Sequence, residues 1–154
     1  MVRITQDALR AGALLDGFIA GRTATGAVVS FTGLTRDRTG GVAVTRLILD
    51  AYPGLTEKVM AEIEIEARAR FLLQDILAVH RWGPVDIGEP IIFVAVAAEH
   101  RRPAFEAADY LMDQFKTRAP FWKMEDTTDE ARWIEPRPQD LHDLARWAKP
   151  DTPE

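Results

Sequence analysis

The chain contains no cysteine in 154 residues. That excludes a disulfide framework and a thiolate metal site, and it removes any thiol or persulfide nucleophile of the chain's own. Sulfur chemistry, if there is any, must borrow its sulfur. Histidine is scarce too: His80, His100 and His142 stand far apart with no short metal-ligand spacing, so no bound metal and no cofactor are expected. No run of about 18 apolar residues is available to span a bilayer, and the N-terminus lacks the basic start and apolar core of a secretory signal. A cytoplasmic protein is expected, with no membrane partner. An excess of positive charge is missing as well: the formal net charge of -5 argues against a nucleic-acid binder, whose footprint is normally basic.

With 47% hydrophobic residues the chain can bury one proper core, so a single domain is expected over residues 1–150, with 151–154 as a frayed tail. Residues Asp7 to Ala20 place Leu9, Leu14, Leu15, Phe18 and Ile19 on a mostly helical spacing that stops at Gly21. Gly26 to Thr32 and Val42 to Tyr52 read as extended segments around a loop with the Thr39-Gly40-Gly41 turn signal. After Pro53-Gly54, the residues Val59, Met60, Ile63 and Ala67 mark one face of an amphipathic helix. Ile76 to His80 reads as a strand, Gly83 to Pro90 as a breaker-rich connection, and Ile91 to Ala98 as a strand buried on both faces. Pro103 opens a helix striped by Ala104, Ala108, Leu111, Met112 and Phe115, ending before Pro120. Arg132 to Glu135 suggests a short strand and Gln139 to Ala148 a terminal helix. The order implies an α+β fold with ferredoxin-like sheet-and-helix layers.

Charge is distributed unevenly. Carboxylates crowd Glu57 to Glu66 and Asp126 to Glu135, whereas Arg101, Arg102, Lys116, Arg118 and Lys123 form a basic island suited to a small anion. His100, Arg101 and Arg102 follow the buried strand and precede a helix, a junction that commonly holds anions in open sheets. Arginines there oppose the helix dipole, although solvation or pairing with carboxylates would also account for them. Lys116, four residues after Met112, falls on the same helical face. Two readings stand: an amine made basic or nucleophilic by desolvation, or a last-turn lysine that complements the dipole and reaches water. Phe121 and Trp122, between Pro120 and Lys123, are either a pocket wall or ordinary core. Arg36 lies in a loop with glycines at 33, 40 and 41, either a closing loop or an exposed hairpin tip.

Several stretches together carry a resemblance: GAVVSFTGLTRD (26–37), YPGLTEK (52–58), EARAR (66–70), HRWG (80–83), AEHR (98–101), FEAADYLMDQFKTRAPFWK (105–123) and ARW (131–133). In order and spacing these resemble the catalytic, large-subunit family of molybdopterin synthase, also called the MoaE family, over about residues 26 to 135. The KTRAPFWK string is the most specific piece. The resemblance implies an α/β hammerhead fold with an additional small antiparallel sheet. It also implies a homodimer at the centre of a heterotetramer, and a small ubiquitin-like sulfur-carrier subunit whose C-terminal Gly-Gly thiocarboxylate enters each active site. The implied reaction is a sulfurtransferase step of molybdenum cofactor biosynthesis that inserts two sulfurs into cyclic pyranopterin monophosphate. That would supply the sulfur that a chain without cysteine lacks.

Carried over by position, the resemblance makes Lys116 and Lys123 catalytic. It places Arg36, His100 and Arg101 on the phosphorylated pterin, with Thr35, Leu34, Met124 and Glu125 also at the substrate and Phe31, Met112 and Arg137 around the pocket. Ala98 stands where many relatives carry a hydroxyl residue, Asp50 replaces a commoner glutamate, and the 35–41 loop is individual. Two other classes of function fit the same residues: a noncatalytic anion-binding or regulatory module, and a scaffold that only docks a ubiquitin-like partner near Phe121 and Trp122.

Overall fold

The computed structural model describes residues 1–148, so the tail expected at 151–154 lies outside the described residues. The described residues form two sheets and four α-helices. The main sheet runs β1 (Val2–Thr5), β5 (Asp75–Arg81), β7 (Pro90–Ala98), β2 (Ala27–Leu34). Strand β7 is central and antiparallel to both β5 and β2, while β1 adds to β5 in parallel. The second sheet is built on β4 (Val42–Ala51), which pairs with β3 (Arg38–Thr39), β6 (Gly83–Asp86) and β8 (Phe121–Thr127), with β9 (Ala131–Ile134) beyond β8. This is the α+β arrangement expected, with its additional antiparallel sheet.

The expectation of a doubly buried strand is met in β7, whose side chains alternate between two cores. Ile92, Val94, Val96 and Ala98 pack under helices α2 (Leu55–Arg70) and α3 (Arg101–Arg118). Phe93, Ala95 and Ala97 face the other way, against Phe18 and Leu14 of α1 (Ala11–Ile19). Helix α3 presents Ala104, Ala107, Ala108, Leu111 and Phe115 to the sheet, nearly all small at its first half, so its axis lies close to β7. Pro103 sits inside the first turn, where no intrahelical partner is lost. Helix α2 begins after Gly54, at φ 87°, and Glu57 reaches back to the Gly54 amide. The terminal helix α4 (Pro138–Ala145) and the turn Arg146–Ala148 lie against α3, where Arg146 and the Trp147 indole meet Asp113.

Five elements depart from the sequence reading, one of them the short β3 inside the segment read as a loop. The first helix starts at Ala11, not Asp7, and the segment before it holds β1, which was not foreseen. Gly83 to Pro90, read as a connection, contains β6, with Val85 fully buried against β4. Phe121 to Thr127 forms β8, because Pro120 stops α3 and the register with β4 captures the backbone. Among the described residues, no helix is long and apolar enough to cross a membrane.

Gly26 precedes β2 where a Cβ would collide with the Glu99 carbonyl oxygen. Gly26→Ala is expected to lower stability by about 1–3 kcal/mol in urea unfolding, because the obstacle is backbone and cannot rotate away.

Candidate active site

The register of the main sheet determines which residues can meet. At one end, β7 begins at Pro90, opposite Leu34 of β2 and, at Ile92, opposite His80 of β5. At the other end β7 finishes at Ala98, beside Ala27, and the chain turns through Glu99 and His100 into α3. Helix α3 then runs back over β7. Its last turn, carrying Lys116, therefore returns to the Leu34 and His80 end, about 22 Å along the axis from Arg101 at a rise of 1.5 Å per residue.

At that end Lys116 and Lys123 come together. Lys116 projects from the last turn of α3 with its side chain 38% exposed, and its ammonium pairs with Asp140 of α4. Asp140 is buried, at 6% exposure. Its second oxygen accepts the Arg137 amide at 3.1 Å, and the Arg137 guanidinium stands 3.6 Å from the first. Burial pushes the Asp140 carboxyl upward, but the hydrogen bonds from Lys116 and the Arg137 amide hold it below the usual carboxylate range. Lys123 sits on β8 between Leu49 of β4 and Ile134 of β9. Burial, reinforced by the neighbouring Lys116 cation, holds its amine below the ordinary lysine range, with Asp140 acting in the opposite sense.

His80 completes this end. Its ring stacks on Phe121 at 3.9 Å and 20°, and its Nδ1 lies 2.8 Å from the Arg81 carbonyl. Burial, and secondarily the Lys123 charge, depress the imidazole to about 4, so it is neutral at pH 7. The site is thus a place where one cation has a carboxylate partner and a second amine, beside an uncharged ring, has none of its own.

The remaining residues of the sequence reading divide between the two ends. Thr35 is buried and pins the loop base: its amide donates to the Glu89 carbonyl at 3.0 Å and its carbonyl accepts from Gly88 at 2.9 Å. Arg36 follows it, exposed, at the lysine end of the sheet, with Leu34 exposed beside it. Met124 lies on β8 opposite Trp133. Glu125 is buried with both oxygens engaged, one by Thr39 at 2.6 Å and the other by Arg132 at 2.8 Å, so it ties β3, β8 and β9 together. Met112 is half-buried, Phe31 is exposed on β2, and Arg137 precedes α4. His100 and Arg101 are exposed at the far end, where with Gly26, Glu99 and Arg102 they line an open depression of about 450 Å³. One chain does not bring them to the lysines.

The structure decides between two pairs of alternatives that the sequence leaves open. Of the two readings of Lys116, the last-turn lysine that reaches water is the one observed, paired with Asp140, and the desolvated amine of the site is Lys123. Of the two aromatics read as either pocket wall or core, Phe121 lies at the lysine end against His80, while strand alternation turns Trp122 outward to meet Trp133 at 6.1 Å. His80 and Asp140 were not foreseen as site residues. A signal existed for Asp140, an acid two residues after a proline at a helix start, where a carboxylate caps the first turn.

Fold and site together define an α+β protein with two amines gathered at one end of its main sheet and a second cationic surface at the opposite end. Residues 4–118 match the family described as MoaE protein. The chain is 50% identical over 147 residues to the molybdopterin synthase catalytic subunit of Caulobacter vibrioides, covering 96% of this chain and 97% of that one. To the subunit of the same name from Escherichia coli it is 47% identical over 130 residues, covering 84% and 87%. Among solved structures it resembles the molybdopterin biosynthesis MoaE protein from Burkholderia ambifaria, with a TM-score of 0.81, 37% identity, and 97% and 99% coverage. It also resembles molybdopterin synthase from Staphylococcus aureus, with a TM-score of 0.79, 31% identity, and 86% and 95% coverage. The chain belongs to the MoaE family, that of the molybdopterin synthase catalytic subunits.

The buried imidazole makes stability depend on pH in a defined direction. The folded state keeps His80 neutral down to about 4, whereas the unfolded chain binds a proton near 6.5. Stability from this group is complete above about 6.5 and is lost as pH falls toward 4, on the order of 3 kcal/mol in all. Urea unfolding of wild type against His80→Gln should show the wild type losing that much more stability between pH 7 and pH 4.

Proposed function

We propose that the chain is a sulfurtransferase that converts cyclic pyranopterin monophosphate to molybdopterin in molybdenum cofactor biosynthesis, in the cytoplasm. Each sulfur comes from the C-terminal Gly-Gly thiocarboxylate of a small ubiquitin-like carrier subunit, and two are used per product. Each transfer breaks a thiocarboxylate C–S bond and, with water, returns the carrier as a carboxylate. The absence of cysteine fits a reaction whose sulfur arrives from outside. The single observation that carries the reading is the meeting of Lys116 and Lys123 beside neutral His80, with only one carboxylate between two amines. An anionic tail fits that imbalance, and amines of unlike environment suit the proton transfers of sulfur addition.

The separation of the cations leads to the second part of the proposal. Arg36 can serve the phosphorylated pterin at the lysine end, but His100 and Arg101 of the same chain are about 22 Å away along α3. In a homodimer with two-fold symmetry, the far end of one protomer can lie against the lysine end of its partner. Each site then takes its lysines from one chain and His100 and Arg101 from the other, with a carrier subunit at each site completing a heterotetramer. Arg36 and Arg101 are suited to the cyclic phosphate because a guanidinium matches a phosphate with paired donors.

With thiocarboxylated carrier and pterin substrate, Lys116→Ala and Arg101→Ala should each lower dithiolene formation by roughly a hundredfold or more. Mixing the two variants and letting protomers exchange should restore about a quarter of wild-type activity, since half the dimers are hybrid and each hybrid has one intact site. No recovery in verified hybrids would place all the cations of a site on one chain. Substrate binding without product in the wild type would make the protein an anion-binding module instead.

A further inference from the structure

Asp140 is a buried carboxylate at the lysine end, and its helix-capping contact does not itself require a negative charge. As the third residue of α4 it caps the helix by accepting the Arg137 amide at 3.1 Å, a task the side-chain oxygen of an asparagine performs equally well. Its other oxygen is turned out of the helix and meets the Lys116 ammonium. Lys116 and Lys123 carry identical side chains and sit close enough that the charge of one acts on the other. What distinguishes them is the carboxylate: Lys116 has it as an ion-pair partner, and Lys123 has no hydrogen-bonded acid.

We infer that Asp140 is the positioning residue that divides the work of the two lysines, holding Lys116 in place as the ammonium that receives the anionic tail and leaving Lys123 as the amine that takes up and releases protons. The inference rests on the reading of Lys116 and Lys123 as the catalytic pair. The groups facing Lys123 support it from every element packed there. Lys116 approaches from α3, Asp140 and Arg137 from α4 and the residue before it, and His80 from β5. The cross-strand neighbours from β4 and β9 are the uncharged Leu49 and Ile134, and Glu125 on its own strand is taken up by Thr39 and Arg132. Among the described residues, Asp140 is the carboxylate of that set whose charge acts on Lys123. It raises Lys123's proton affinity while burial and Lys116 lower it.

The isosteric Asp140→Asn keeps the cap and removes the charge, which separates the two roles. Competitive labelling of the free chain with acetic anhydride, resolved by mass spectrometry across pH, reads each amine without turnover. In Asp140→Asn, Lys116 should be labelled several-fold faster than in wild type, and the labelling midpoint of Lys123 should move to lower pH because a stabilising negative charge is gone. In the assembled enzyme kcat should fall by about tenfold or more while KM for the pterin stays within about twofold. Asp140→Glu, which keeps the charge, should restore protection of Lys116 and most of kcat. Unchanged labelling of both lysines in Asp140→Asn, or an equal loss of kcat in both variants with native labelling, makes Asp140 a helix cap and overturns the inference. Altered labelling with undiminished turnover would instead remove the lysines from the reaction, and the inference with them.

Discussion

The packing of α3 on the central strand β7 is the constraint from which the rest of the molecule's chemistry follows. Because the helix starts where the strand ends and returns over it, the cations at its beginning and the lysine at its end are held at opposite ends of one sheet. The small residues Ala104, Ala107 and Ala108 let helix and strand approach closely, and Leu111 and Phe115 fix the rotation. That rotation leaves Lys116 at the rim, where α4 can deliver Asp140. A helix turned by one residue, about 100°, would aim the amine elsewhere.

Charge at the lysine end is arranged by burial as much as by pairing. His80 is kept neutral by its enclosure under Phe121, so it adds no third cation to a crowded site. Lys123 is half-buried between aliphatic neighbours, and the cost of a charge there falls on the ammonium form. Asp140 offsets one positive charge and no more. Two amines and one carboxylate therefore sit together inside a protein of net charge -5, a local reversal in keeping with the basic residues between 101 and 123.

What could be read from the sequence was whatever depends on periodicity and on strings of adjacent residues. The two-faced burial of β7 follows from an unbroken apolar run, and the stripe of α3 from its helical spacing. Strand β8 was hidden because Lys123 and Glu125 occupy its inward face, which makes a buried strand look like a charged loop. Strand β6 was hidden by its glycine and proline, which the edge of β4 tolerates. The lysines were legible from KTRAPFWK, but their unlike surroundings were not, since Asp140 arrives from 24 residues further on and His80 from 36 residues before Lys116. Nor did the resemblance say that His100 and Arg101 lie far from the lysines within one chain; the route of α3 decides that.

In the proposed assembly a working site joins the lysine end of one protomer to the arginine end of another. A crystal structure of the homodimer with the carrier subunit and the phosphorylated pterin bound would test it most directly. A shared site places the phosphate between Arg36 of one protomer and the partner's arginine-end cations, with the diglycine tail running to Lys116 and Lys123. A pterin held wholly by residues of one protomer, with His100 and Arg101 remote from every ligand, would contradict it.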